Sequence, residues 1–427
     1  MQAPETSLSS GGSMSKNNPE QINSAAAHEP INGATSSPGP QPVAPTIDCA
    51  DAGSTQNTVS PDFPVQSGNI IEKSSSGSIS PAETGPKPEK KSVSGDDLYR
   101  RSSQYQTWSF TSEELYSIKK QTNEKGRATA LQSFESSRSS LEAEKPEVFA
   151  AHGDKLTSEI LELISFDEEQ KYLHYFGQQI VQICAHFKMP TQVKATAISF
   201  FRRFYLVNSV MEYRPRNVLY TAVFLAAKSE NYFISIETFC SRIPKTKPED
   251  ILGLEFIILQ ALKFTLLVHH AFRPVYGFFL DFQSLLLHPA PVMYDVNVDT
   301  IGQLYDKAKK WLNDHALLSD VSFLFTPPQI ALAALYDSDK RITDRYLRLK
   351  FLHEPPEGKE VGQSSVPPHV KEHFDLILKT IKRCIKIAKE ETTTSKEEST
   401  KIDEKCFFAL NPSKLLKRRI KALPEQP

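Results

Sequence analysis

The side chains able to do chemistry are scattered through this chain rather than gathered. Its five cysteines, Cys49, Cys184, Cys240, Cys384 and Cys406, are odd in number, far apart and without a Cys-x-x-Cys pair. That spacing excludes a disulfide scaffold and a zinc ribbon and points to a reducing compartment. Among the histidines only His269-His270 approaches a metal pair; adjacent side chains on a helix or strand point apart, so these two read as a linker. No Gly-x-Ser-x-Gly, Gly-x-Gly-x-x-Gly, phosphate-loop or His-Glu-x-x-His string occurs. The expectation is a protein that is no enzyme and needs no cofactor or metal. Two other sets carry chemistry of a different kind. Ser37, Ser60 and Ser80 each precede proline and are candidate sites for a proline-directed kinase, although such pairs are common in any Ser/Pro-rich tail. Lys414, Lys417, Arg418, Arg419 and Lys421 form a basic run that suits either nuclear import or the C-terminal end of a helix dipole.

These groups sit in a chain of 427 residues whose 50 Lys and Arg balance 51 Asp and Glu, for a net charge of −1. Such balance argues against a polyelectrolyte that coats nucleic acid or anionic membrane. The opening residues lack a charged start and an apolar core, so no signal peptide is expected. The most apolar stretch, 251–268, is interrupted by Glu255, Gln260 and Lys263 and does not suit a membrane span. We therefore expect a soluble, intracellular protein with no direct nucleic-acid or membrane partner. Residues 1–97 are rich in Ser, Pro and Gly, with Phe63 as the sole aromatic. This composition cannot bury enough apolar surface to offset the entropy of ordering it, and a disordered tail is expected.

Order should begin in 98–155. Thr111 and Glu114 form a capping box, with Phe110 stapled onto Leu115; a lone helix of this kind is marginal in water and must dock, through residues such as Trp108. The polar stretch 121–155 suggests a second helical piece and a connector. From 156 the pattern is helical. Leu173, Phe176, Ile180, Cys184 and Phe187 form one stripe ending at Lys188, and Pro190 opens a helix carrying Val193, Ala197, Phe200, Phe201 and Phe204. Pro215 opens a third, apolar nearly all round over 218–227, which requires helices on every side. A short helix near 235–241 and a fifth from Pro248 to Lys263 complete a block at 156–268. A second block at 269–390 echoes it: Pro215-x-Asn217-Val218 with Ala222 returns as Pro327-x-Gln329-Ile330 with Ala334. Its helices are expected near 271–286, 294–318, 327–337, 342–350 and 370–389, with 353–368 as a flexible insertion. Residues 391–427 read as a linker and one further basic helix at 401–421. The fold class is all-α, two tandem five-helix units with extra helices at both ends.

Particular strings go further. FFRRFYLVNSVMEYRPRNVLYTAVFLAAKSENY (200–232), ILGLEFIILQALKFTLLVHHAFRPVYGFF (251–279) and TPPQIALAAL (326–335) resemble the two repeats of the cyclin family. With the WSFTSEEL helix at 108–115 they resemble its cyclin H branch, in the fungal form, over roughly residues 98–420. Phe-Tyr-Leu-x-Asn-Ser-Val-Met-Glu-Tyr (204–213) and Arg273-Pro274 carry the likeness to that branch.

The resemblance implies a regulatory subunit that binds a cyclin-dependent kinase and activates it without contributing a reacting group. The family's kinase contacts map onto Lys228 and Glu255, with Glu230, Phe224 and Tyr232 beside them. An ammonium offers donors to exposed carbonyls and a carboxylate accepts N–H groups, the stronger kind of hydrogen bond. On spacing alone a solvated internal ion pair is the favoured reading of the same residues, and it is the resemblance that turns them into kinase contacts. It also implies the catalytic subunit of the CDK-activating kinase as partner, a RING-finger assembly factor as third member, transcription factor IIH as the setting, and the nucleus. Trp108, Phe110 and Leu115 would anchor the N-terminal helix on the core or near the kinase. Two departures stand out. Asn231 replaces an acid common in the family, and Met189-Pro190-Thr191-Gln192-Val193-Lys194 lacks the Met-Arg-x-x-x-Leu patch that docks substrates, so no docking of that type is expected. The alternatives are another transcriptional cyclin of the cyclin C kind, or a DNA-binding double cyclin fold like transcription factor IIB. The missing zinc ribbon and balanced charge speak against the latter.

Overall fold

Thr111 caps the element that most shapes this molecule. In the computed structural model, which describes residues 95–352, 367–390 and 394–423, its hydroxyl accepts the Glu114 N–H while Glu114 accepts the Thr111 N–H at 2.8 Å. The helix this starts is the third among the described residues. α1 (Gly95–Arg100) and α2 (Ser103–Trp108) precede it, and α3 runs Ser112–Glu144 without a break. The expected connector at 121–155 is therefore mostly helix, followed by α4 (Pro146–His152) and two 3₁₀ turns. Weak periodicity hid it because its buried face is built from Thr122, Asn123, Gly126 and Ala130 as much as from Leu115, Phe134 and Leu141. Thr122 donates to the Leu206 carbonyl at 2.8 Å and Asn123 to the Glu169 carboxylate at 2.7 Å, so the buried polar groups are satisfied.

The first block comprises α5 (Phe166–His186), α6 (Thr191–Val207), α7 (Pro215–Ser229), α8 (Ile236–Ser241) and α9 (Pro248–Ala261). α7 is its axis. Val218, Leu219 and every residue from Thr221 to Ala227 are buried, between α5, α6 and α9. The second block has α10 (Phe272–Leu287), α11 (Val298–Trp311) with a π turn to Ala316, a short α12 (Val321–Leu324), α13 (Pro327–Ser338), α14 (Lys340–Leu347) with a π turn to Leu352, and α15 (Pro368–Ala388). α13 is again the enclosed helix. Pro215 and Pro327 both occupy the first turn of the central helix, where the missing N–H costs nothing. Each block holds its own apolar core.

The C-terminal segment is two helices rather than one, α16 (Lys396–Leu410) and α17 (Pro412–Lys421). Pro412 cannot extend the preceding helix, so it begins a new one. α16 lies on α3 and α5 and α17 on α3, which buries Ile402, Cys406, Leu415 and Leu416 in the first core. Among the described residues there is no strand and no helix long and apolar enough to cross a membrane. The tail with Ser37, Ser60 and Ser80, Cys49 and the segment 353–366 lie outside the described residues.

Candidate protein-docking site

From Val218 to Ala227 α7 is apolar but for Thr221, and in its last turn Lys228 emerges. Thr221 donates its hydroxyl to the Ile251 carbonyl at 3.1 Å, which pins α7 against α9. One turn further along α9 stands Glu255, whose Oε1 accepts from Lys228 Nζ at 2.7 Å. Both remain accessible, Lys228 at 48% and Glu255 at 19% side-chain exposure. An exposed pair of this kind is worth about 0–1 kcal/mol. It therefore holds the two charges in place, while opening it would cost little.

The helix must stop directly after the lysine, and Asn231 explains how. It adopts φ 56°, and the Tyr232 N–H reaches back to the Ala227 carbonyl at 2.8 Å, a left-handed stop that asparagine tolerates better than aspartate or bulkier residues. The replaced family acid is thus a turn-forming residue here.

The remaining residues expected to touch a kinase divide. Phe224 is 3% exposed and packs on Phe239; it is the floor beneath Lys228, whose Nζ lies 4.6 Å from the ring centroid, and offers no free surface. Glu230 is turned inward and accepts the Thr196 hydroxyl at 2.6 Å. Tyr232 is half-buried against the first core. In their place the structure exposes apolar side chains that sequence reading passed over. Phe233 is 90% exposed, and Leu252, Phe256, Phe264 and Leu267 are all open to solvent. Leu252 and Phe256 lie on the open side of α9, and Glu255 sits at the boundary between them and the buried stripe of Ile251 and Ile258. The signal was present: 251–262 is apolar on two faces, and only one can meet the core. Large exposed apolar groups around a charged pair mark a protein-docking surface. Lys263 and Phe264 both take positive φ, 51° and 54°, a rare conformation for such residues. The turn sends Lys263 toward the Trp108 ring, 5.7 Å from its centroid, and Phe264 outward to Phe256.

Trp108, Phe110 and Leu115 gather with Leu206 and Phe323 in one small apolar cluster. Trp108 donates its indole N–H to Thr265 at 2.8 Å, and the Phe110 N–H bonds the Phe323 carbonyl at 2.9 Å. The N-terminal helices thus bridge the end of the first block and the start of α12. His269 and His270 do different jobs in the linker. The His269 backbone is bracketed by the Gln104 side-chain amide, at 2.7 and 3.1 Å. His270 lies 2.7 Å from the Thr196 hydroxyl; burial and then Arg203 lower its pKa to about 3. The cysteines of the described residues are buried, and burial pushes Cys184, Cys384 and Cys406 up to about 12, far from reactive thiolates. In the basic run Leu415 is a core anchor, Arg418 pairs with Glu404 at 2.9 Å, and Lys414 stacks on Phe407.

Comparison with known proteins places this architecture. Residues 163–267 match the cyclin N-terminal domain and 270–389 the cyclin C-terminal domain. Cyclin CCL1 of Saccharomyces cerevisiae is 35% identical over 362 residues, covering 79% of this chain and 87% of that protein. The chain belongs to the cyclin family. Cyclin mcs2 of Schizosaccharomyces pombe is 36% identical, covering 60% of this cyclin and 74% of that one. A chain of the CAK complex of Chaetomium thermophilum bound to ATP-gamma-S superposes with a TM-score of 0.56 at 27% identity, over 76% of this cyclin and 90% of that chain. These relatives bear out the resemblance to cyclin H of the fungal type.

Proposed function

We propose that this cyclin is the regulatory subunit of a serine/threonine kinase, binding and activating a cyclin-dependent kinase of the CDK-activating, transcription factor IIH type. It acts in the nucleus, in RNA polymerase II transcription and cell-cycle control, with a RING-finger assembly factor as third partner. The similarity to a chain of a solved CAK complex supports the partner class. The observation that carries the reading is the accessible pair of Lys228, in the last turn of α7, and Glu255, midway along α9, set among unburied Phe233, Leu252 and Phe256. In this mechanism the surface grips the kinase's C-helix and turns it inward, so that the kinase's own lysine–glutamate pair holds the ATP phosphates and the activation loop clears the cleft. The cyclin works solely by binding that arrangement better than the inactive one.

The test is reconstitution with the kinase subunit. Activity should require this chain, and Lys228→Ala or Glu255→Ala should each weaken the complex by about 2–5 kcal/mol, because truncation leaves a desolvated partner unpaired. Full binding and activity in both variants would remove the assignment.

A further inference from the structure

Glu230 closes α7 two residues beyond Lys228, its N–H bonded to the Ala226 carbonyl at 3.0 Å. Its carboxylate takes the hydroxyl proton of Thr196, a fully buried residue of α6, at 2.6 Å. A carboxylate only accepts, so the single Thr196 proton is committed there. His270 Nε2, 2.7 Å from the same oxygen, must then be the donor, which fixes the imidazole as its Nε2–H tautomer. Burial and the nearby Arg203 keep that ring neutral. The adjoining peptide of His269 is gripped on both sides by Gln104, itself buried on α2. Two sets of hydrogen bonds, joined by the covalent step from the His269 peptide to the His270 side chain, therefore connect the N-terminal helices, through the linker between the two cyclin boxes, to the last turn of the central helix.

We propose that Thr196, His270 and Gln104 are positioning residues that hold Glu230 inward and so fix the turn that presents Lys228, making the docking of α2 on the linker a condition of kinase binding. The inference rests on the reading of Lys228 and Glu255 given above. The physical reason is competition. If the Thr196 hydroxyl is lost, Glu230 loses its buried donor and becomes a second anion free to seek the Lys228 ammonium, which must otherwise serve the partner's carbonyls.

The experiment measures kinase affinity for the full chain carrying Thr196→Val, Thr196→Ser or Gln104→Ala, each alone and with Lys228→Ala, beside the thermal midpoint of the cyclin alone. Thr196→Val should weaken binding about tenfold, Thr196→Ser should restore it, and Thr196→Val should add little to Lys228→Ala because both act through one contact. Gln104→Ala should follow Thr196→Val in direction and in its lack of additivity. Wild-type affinity for Thr196→Val, or an undiminished effect in the Lys228→Ala background, would overturn the proposal, since a role confined to stability predicts additivity. An unchanged affinity for Lys228→Ala itself strikes the docking surface instead, and with it the ground on which this inference stands.

Discussion

His270 illustrates how one residue acquires its role from its surroundings. In sequence it is half of a His-His dipeptide with metal-binding overtones; in the structure it is a neutral hydrogen-bond donor to Thr196. Its pKa falls to about 3, through burial first and then Arg203, His269 and Arg273. Because the folded value lies below the ordinary one near 6.5, the unfolded chain binds the extra proton between the two. The associated stability is complete above about pH 6.5 and drains as pH falls from there toward 3, by at most about 1.4 kcal/mol per unit. Replacing His270 by Gln keeps an N–H donor but removes the titration, so the thermal midpoint should fall less steeply between pH 6.5 and 5 than in the wild type. A residual slope will remain, since burial also lowers His174 and His269. The Lys228–Glu255 pair was legible at this scale only through likeness to a family. Nothing in the spacing of two charges 27 positions apart distinguishes a docking site from an ordinary bridge, and the distinction comes from what surrounds them.

At the scale of elements, α3 is the instructive case. Its apolar stripe is interrupted where Asn123, Thr122 and Gly126 face inward, because the helix crosses the loop after α6 too closely for larger side chains. A Cβ on Gly126 would lie 2.2 Å from that of Ser209, and Ser209 is itself held by the Glu169 carboxylate at 2.7 Å. Alanine is the better helix former by about 1 kcal/mol, yet Gly126→Ala should destabilise the chain by about 1–3 kcal/mol through overpacking, as a lowered midpoint in urea would show. Periodicity read the enclosed α7 and α13 from their proline starts and unbroken apolar runs. It failed on α3 because polar contacts, invisible to a hydrophobic pattern, make up half the buried face. It joined α16 to α17 because both are amphipathic, although the Asn411-Pro412 break was written in the chain.

Across the whole molecule the two cyclin boxes are tied by charge as well as by the linker. Asp320, before α12, lies between Arg202 of α6, with which it forms a close ion pair, and Lys119 of α3 at 2.7 Å. Burial pushes its carboxyl up, but Arg202 and then Lys119 outweigh that and hold it below the usual range. Asp320→Ala would strand two largely buried cations, and the expected loss is about 3 kcal/mol, toward the low end for a broken buried pair because the aspartate keeps some exposure. Unfolding monitored by circular dichroism would register it, and little or no change would show the triad to be water-compensated. Sequence alone determined the all-α class, the doubled five-helix plan and the enclosed third helices, because proline placement and helical periodicity act locally and each block must bury its own core. Only the tertiary structure decided which apolar residues of 251–267 are left outside, that Phe224 lies under the lysine and Glu230 points away from it, and that Gln104 and Asp320 stitch distant segments together. Those outcomes depend on which faces meet when helices far apart in the chain pack, and no local pattern encodes that.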